Sequence, residues 1–321
     1  MEDKRFNIRN FTRDERKRLA FSNHGAMMVT FEKEIRKSSE NSSIWTPFKT
    51  EQLKGVNNSA IFKVHEGTII EIKKTPKFNT EFMVLDTDTV SALFDTSFNG
   101  KVGVLNFASY KTPGGRYIEG SSAQEESLCH SSFLYNVLCL HKEDFYKRHF
   151  KTLNRSLYTS ELLYTPDITF VDRYVLQDWN EPLHVKLKSV EFKDADVLTI
   201  AAPNIMSNTR WNTGIWNTDV GKNDNSYGIN PDGSLMNEEQ YRELLTERIK
   251  LILDVAIAKE DFNLILGAFG CGVFRNNPYI VSSIFHDLLW GEYENVFNKV
   301  VFAVPKGVDE TNFNVFWNTI I

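Results

Sequence analysis

Short apolar runs alternate along the chain with longer stretches in which apolar residues recur every three or four positions, the pattern of strands interleaved with helices. Phe82–Leu85, the run Val104, Leu105 and Phe107, the segment ITFVDRY, Val197–Ala202, Asn263–Leu266 and Val300–Val304 read as strands. Ile61–Lys73 alternates and predicts a strand pair interrupted near Glu66-Gly67. Helical spacing over Thr12–Lys37 places Leu19, Met27, Met28, Phe31 and Ile35 on one or two shared faces. A second helix is expected in DTDTVSALF, capped by Asp86 or Asp88. A third starts at Ser122, which has capping-box spacing to Glu125, and runs to about His141 with Leu128, Phe133, Leu134, Val137 and Leu138 inward. The clearest one begins at Asn237 and turns Leu245, Ile249, Ile252 and Val255 to the core, and Asn277-Pro278 opens another.

Strands alternating with helices predict an α/β protein, a three-layer sandwich with a mixed sheet between helical layers. No composition break divides residues 61–321, so they are expected to form one domain, with residues 1–60 as a helical and irregular extension packed on it. Ser38–Asn58 is polar and should wrap the surface with Trp45 and Phe48 as anchors. Ser207–Met236, rich in Asn, Asp, Gly and Thr around Trp211 and Trp216, is either a lid or disordered.

Composition narrows the function classes. With 41% hydrophobic residues in 321 there is enough apolar surface for a packed core. No run of about 18 apolar residues occurs, and MEDKRFNIRN lacks the apolar core of a signal peptide, so a cytoplasmic protein without membrane contact is expected. Three cysteines without CxxC spacing support neither a disulfide framework nor a zinc site, and Cys129 and Cys139 read as core residues. A formal charge of −5 argues against a general nucleic-acid surface, so an anionic ligand has to be handled locally.

The local chemistry concentrates in Val104–Tyr135, VLNFASYKTPGGRYIEGSSAQEESLCHSSFLY. Pro113-Gly114-Gly115 breaks the chain where a strand ends, and Gln124, Glu125 and Glu126 fall in the first turn of the next helix. A glycine loop ahead of a helix N-terminus offers backbone N–H groups to a phosphate or diphosphate. Two adjacent carboxylates beside it suggest acid chemistry on a nucleotide sugar. Each feature also has a plain structural explanation: glutamates suit a helix start, paired glycines mark ordinary turns, and His130 and His141 read as helix filler.

NFASYKTPGGRYIEGSSAQEESL resembles the signature of the microbial-type poly(ADP-ribose) glycohydrolases, macrodomain enzymes with a glycine-rich diphosphate loop followed shortly by Gln-Glu-Glu. AAPN at Ala201–Asn204 and GAFGCGVFRNNP at Gly267–Pro278 match the same family in the same order, and the resemblance runs loosely from about Phe62 to the C-terminus. It implies a macrodomain-like fold; with no metal ligands visible in the sequence, a metal-independent reaction without a cofactor is expected. The expected partner is ADP-ribose or poly(ADP-ribose), free or on modified proteins. Glu126 would be the acid and Glu125 would bind ribose hydroxyls. Gly114 and Gly115 would approach the distal ribose and diphosphate, with Gln124 completing the motif. Gly270, Cys271, Gly272 and Val273 would hold the diphosphate from the other side. Phe274 would pack on the ligand, Asn106 would meet the distal ribose, and Asp88 would hold the adenine amino group or simply cap its helix.

One position departs from the family pattern. The third loop glycine is Arg116, which would cost about 1 kcal/mol or more if that position requires positive φ, and which could pair with a phosphate. Two functions follow: a glycohydrolase that releases ADP-ribose, or a macrodomain that binds and sequesters ADP-ribose or a cyclic relative without turnover. The intact glutamates favour the first and Arg116 the second.

Overall fold

The computed structural model describes residues 11–20, 58–63, 72–151, 154–171, 192–208, 227–307 and 310–321. Among the described residues the sheet holds seven strands: β1 (Ala60–Lys63), β2 (Glu81–Leu85), β3 (Val102–Phe107), β4 (Glu161–Val171), β5 (Phe192–Ile200), β6 (Asn263–Leu266) and β7 (Lys299–Ala303). Their order is β1-β4-β5-β3-β6-β7-β2. From β5 to β2 the strands pair parallel, while β4 runs antiparallel to both β5 and β1. Parallel strands are covered on both faces, which is why β6 and β7 read as unbroken apolar runs.

Alternate residues of each strand feed two cores. Leu264, Leu266, Val300 and Phe302 face the helices α6 (Glu238–Ala258), α7 (Pro278–Leu289) and α8 (Thr311–Ile320). Val104, Val197, Ile265 and Val301 face the other layer, where α2 (Thr89–Asp95), α3 (Gln124–His130) and α4 (Leu134–Leu140) supply Ala92, Leu128, Leu134 and Val137. The expected mixed α/β sandwich is therefore present. The short α5 (Lys147–Lys151) precedes β4, and residues 13–20 form a helical segment, α1, whose Leu19 and Ala20 are fully buried.

The capping signals at Asn237 and Asn277 act as expected. Asn237 accepts from Gln240 N while the Gln240 side chain accepts from Asn237 N, and Asn277 caps α7 with Pro278 in the first position. The third helix differs from expectation in two ways. Its cap position is Ala123, without a side-chain hydrogen bond, because the Glu125 carboxyl that a Ser122 box would use accepts instead from Ser109 N. It also stops at His130 rather than running to His141. Ser132 Oγ donates to Leu128 O and accepts from Leu134 N, and the Ser132 backbone bridges Phe170, so the chain restarts as α4.

Met27, Met28, Phe31, Ile35, Trp45, Phe48, the Glu66-Gly67 break, Trp211 and Trp216 lie outside the described residues. No described helix is long and apolar enough to cross a membrane.

At the end of the sheet opposite the glycine loops, Asp196 accepts from Tyr164 OH, from Asp167 N at 2.7 Å and from Lys101 Nζ at 3.1 Å. The fully buried Asp261 carboxyl lies beside it; burial first, then the Asp196 charge, push Asp261 well above the usual carboxylate range. A group raised in the folded state contributes stability at low pH that is lost as pH rises through its folded value. Asp261→Asn is thus expected to become increasingly stabilising relative to the parent chain from pH 5 to pH 9, reaching about 1 kcal/mol or more. Urea denaturation of both chains across that range measures the difference.

Candidate active site

The carboxyl ends of β3, β5, β6 and β7 open into one cavity of about 570 Å³, the end of a parallel sheet where ligands usually bind. The loop after β3 supplies Ser109, Tyr110, Gly115 and Arg116 to its wall, and the loop after β6 supplies Gly270, Gly272, Val273 and Phe274. The two glycine loops therefore face each other across a single cleft. Asp88, Pro305 and Asn312 also line it.

Gln124 fastens the base of the first wall. Past the last β3–β6 pair, Val104 with Ile265, its side chain takes over the ladder: Oε1 accepts from Phe107 N at 2.8 Å and Nε2 donates to Leu105 O at 2.7 Å. That bond pair fixes the start of α3, and with it the next two residues. Glu125 and Glu126 are 2% and 7% exposed, yet both line the cavity.

Each buried carboxyl is held by a backbone N–H of the loop. Glu125 Oε2 accepts from Ser109 N at 2.6 Å, and Oε1 accepts from Tyr146 OH at 3.1 Å. Glu126 Oε1 accepts from Arg116 N at 2.9 Å. Burial, opposed by the Ser109 hydrogen bond and reinforced by the Glu126 charge, pushes Glu125 up to about 8. At neutral pH Glu125 is thus mainly a neutral carboxyl.

Gly115 explains why the loop needs glycine. Its φ is +57°, and a Cβ there would lie 2.6 Å from Glu126 Oε1 and 3.3 Å from Glu125 Oε2. Gly114, with φ +65°, does not line the cavity; a Cβ there would meet the Tyr135 ring at 2.6 Å. Arg116 is absent from the positive-φ residues, so arginine carries no backbone strain at that position. Its exposed guanidinium pairs with Glu119.

On the opposite wall, Gly270 at φ +72° leaves no room for a Cβ between Asn276 and Ala202. Phe274 and Tyr110 line the cavity, and Tyr110 stacks on the buried Tyr158 with 4.2 Å between centroids. Arg248, fully buried, donates to Ala201 O and to the Leu157 and Tyr158 carbonyls, tying this aromatic wall to the end of β5. Val273 is largely exposed at the mouth.

Three of the expected ligand residues sit elsewhere. Asn106 is fully buried behind Glu125, donating to Thr199 Oγ1 at 3.2 Å and directing Nδ2 at Glu125 Oε1, 3.5 Å away. Cys271 is outside the lining, with its thiol on Phe269 O, and Gly114 packs under Tyr135. Asp88 caps α2 through Val90 N and Ser91 N and also lines the cavity. His130 is remote from the glutamates' hydrogen bonds: it pairs with Ser121 O, and burial lowers it to about 4. Ser109, Tyr146 and Tyr158 also serve the site, although no sequence pattern marks them. Ser109 stands inside the motif, but Tyr146 arrives through a π-helical turn, Lys142–Tyr146, that periodicity does not reveal. Among the described residues, no group of three or more His, Cys, Asp or Glu is placed to hold a metal ion.

The family model described as "Microbial-type PARG, catalytic domain" matches residues 12–172, half of the chain. Among solved structures, the poly(ADP-ribose) glycohydrolase of Thermomonospora curvata is similar at 27% identity and a TM-score of 0.65, covering 84% of this chain and 89% of that one. The same enzyme bound to the inhibitor ADP-HPD matches at 26% identity and 0.61, covering 84% and 88%. The Deinococcus radiodurans poly(ADP-ribose) glycohydrolase in complex with ADP-ribose matches at 26% identity and 0.64, covering 84% and 96%. No curated protein sequence matches the chain significantly.

Gly115→Ala is expected to cost about 1–2 kcal/mol from positive φ alone, with a further loss as Glu126 is displaced. Arg116→Gly should give no gain, and a loss of about 1 kcal/mol or less, because the site imposes no left-handed backbone. Chemical denaturation of the two variants separates these outcomes.

Proposed function

The chain belongs to the microbial-type PARG catalytic-domain family, and from that premise we propose that it hydrolyses the ribose–ribose O-glycosidic bond of poly(ADP-ribose), or of a related ADP-ribosyl conjugate, releasing ADP-ribose. The observation that carries the mechanism is the asymmetric setting of Glu126. Its Oε1 is occupied by the Arg116 N–H, whereas Oε2 has no hydrogen-bond partner among the described residues, and the side chain lines the cavity. With Oε1 taken by the loop N–H, Oε2 is the oxygen open to the leaving group.

In the proposed reaction the ribose–oxygen bond breaks as Glu126 Oε2 delivers its proton to the departing oxygen. The oxocarbenium-like centre is then captured by water, whose proton returns to Glu126. Glu125, neutral at pH 7 and anchored by Ser109 N and Tyr146 OH, would meet ribose hydroxyls with its remaining lone pairs. The diphosphate would lie between the loops at Gly115 and Gly270–Val273, and Phe274 would pack on the ligand. Asn106 would act one step back, orienting Glu125. On this reading residues 61–321 carry the site, and residues 1–60 form an extension of which the part from residue 12 onward falls within the matched catalytic-domain family. The sequestering alternative rests on an altered loop geometry at Arg116, whereas that residue has an ordinary φ and its N–H holds the Glu126 side chain at the cavity.

Glu126→Gln should leave ADP-ribose affinity within a few-fold and lower single-turnover release by roughly 10²-fold or more. Near-parental release would remove Glu126 as the acid, and no release by the parent chain would favour sequestration. Glu125→Gln should weaken binding and turnover together. Since Glu125 ionises near 8, ADP-ribose binding should weaken on the alkaline side as a negative charge appears beside an anionic ligand. Calorimetric titrations from pH 6 to 9 should show that decline in the parent chain and none in Glu125→Gln.

A further inference from the structure

One wall of the cavity carries a column of side chains with no part in the proposed bond cleavage. Tyr158 stands at its base, buried, in a segment where Asn154, Ser156 and Tyr158 all have positive φ, a left-handed backbone that residues with a Cβ rarely adopt. Such strain persists only where the surroundings impose it. Here Arg248 donates to the Leu157 and Tyr158 carbonyls, and Asn204 N donates to Ser156 O at 2.9 Å. The Tyr110 ring is stacked on Tyr158, 17° from parallel, and Lys111 Nζ sits over the Tyr110 ring, 5.4 Å from its centroid. With Tyr158 covering one face at 4.2 Å, the ammonium occupies the other. A fixed aromatic perch thus holds a flexible lysine, and both Tyr110 and Lys111 line the cavity.

Lys111 and Arg116 are the basic residues of the lining, and only one of them is committed elsewhere. The Arg116 guanidinium is paired with Glu119, whereas Lys111 forms no ion pair with a carboxylate among the described residues. Arg275, beside Phe274 in the second loop, is outside the lining. The glycine loops offer neutral N–H groups, and the carboxyl groups of Asp88, Glu125 and Glu126 share the same cavity, so a diphosphate entering it lacks a full positive charge unless Lys111 provides one. The perch stands where the two loops approach each other: the Tyr110 and Phe274 rings are 6.4 Å apart, and Phe274 follows Val273 directly. We propose, resting on the glycohydrolase reading, that Lys111 is the countercharge of the ligand's diphosphate and that Tyr110, stacked on Tyr158, is the positioning residue that keeps its ammonium between the loops. An ammonium held over a ring keeps its charge but has already lost much of its freedom, so less is lost when the ligand arrives. As a point charge it meets a phosphate oxygen without the paired geometry a guanidinium requires.

The test is a charge series at one position of the full chain, read as ADP-ribose affinity by calorimetry. At low salt Lys111→Met should bind about 10-fold more weakly than the parent chain and Lys111→Glu about 10-fold more weakly again, while Lys111→Arg should recover affinity to within about three-fold. At about 1 M salt, where charges act over only about 3 Å, the whole spread should shrink to about three-fold. Lys111 is exposed, so a loss that follows charge and fades with salt is not one that damage to the fold produces. Tyr110→Leu should weaken ADP-ribose as well, and Tyr110→Phe, which keeps the ring, should recover that loss. Once Tyr110→Leu has removed the perch, adding Lys111→Met should cost less than about three-fold more. An affinity of Lys111→Met within about two-fold of the parent at low salt, or equal affinities for Lys111→Met and Lys111→Glu, overturns the countercharge while leaving the glycohydrolase reading intact. Fully additive losses at the two positions overturn the positioning role of Tyr110. Failure of the parent chain to bind ADP-ribose overturns the glycohydrolase reading and the countercharge with it.

Discussion

Two carboxyl groups on consecutive residues, both nearly excluded from solvent, are an expensive arrangement, and the architecture around them is explicable as what makes it tolerable. Each needs donors, and the donors come from the glycine loop, Ser109 N for Glu125 and Arg116 N for Glu126. The loop can come that near only because Gly115 has no side chain. Its end points are set in turn by the Gln124 amide, which bonds the edge of β3 as a strand would. Keeping Glu125 neutral removes the remaining repulsion. Sheet, loop and helix start are thus coupled through a handful of hydrogen bonds to two oxygen pairs.

Those parts of the fold encoded by contiguous residues were legible in the sequence. Asn237 with Gln240, and Asn277 with Pro278, state their helix starts within four residues, and the central parallel strands announce themselves as apolar runs. The glycine loops were legible because their demand for positive φ at Gly115 and Gly270 is written as glycine. What escaped depended on distant partners. Nothing near Ser132 signals that Phe170 will pair with its backbone and split the helix, and Ser122 loses its capping partner to Ser109, sixteen residues upstream of Glu125. α8 is not legible in the sequence although Val315, Phe316 and Ile320 are buried, because ten residues give little periodicity to read.

The same distinction holds within the site. Glu125, Glu126, Gly115, Arg116 and Phe274 line the cavity as their motifs implied. Asn106 stands one layer back because it sits within β3 opposite Thr199, where a side chain reaches Glu125 before it reaches open space. Sequence similarity transfers which residues belong together more readily than it transfers which of them touch the ligand.

The helix at residues 13–20 also bears on where this protein can be cut. A chain shortened to begin at β1 would keep all seven strands, both glutamates and the whole cavity lining. It would nevertheless leave the Glu119 and Gly120 carbonyls without Arg13 and Arg16, and would uncover Tyr117 at the back of the segment that carries Arg116. The boundary drawn by the sheet and the boundary drawn by the working site are therefore different, and a minimal fragment designed from strand order alone would be intact as architecture and loosened as a catalyst.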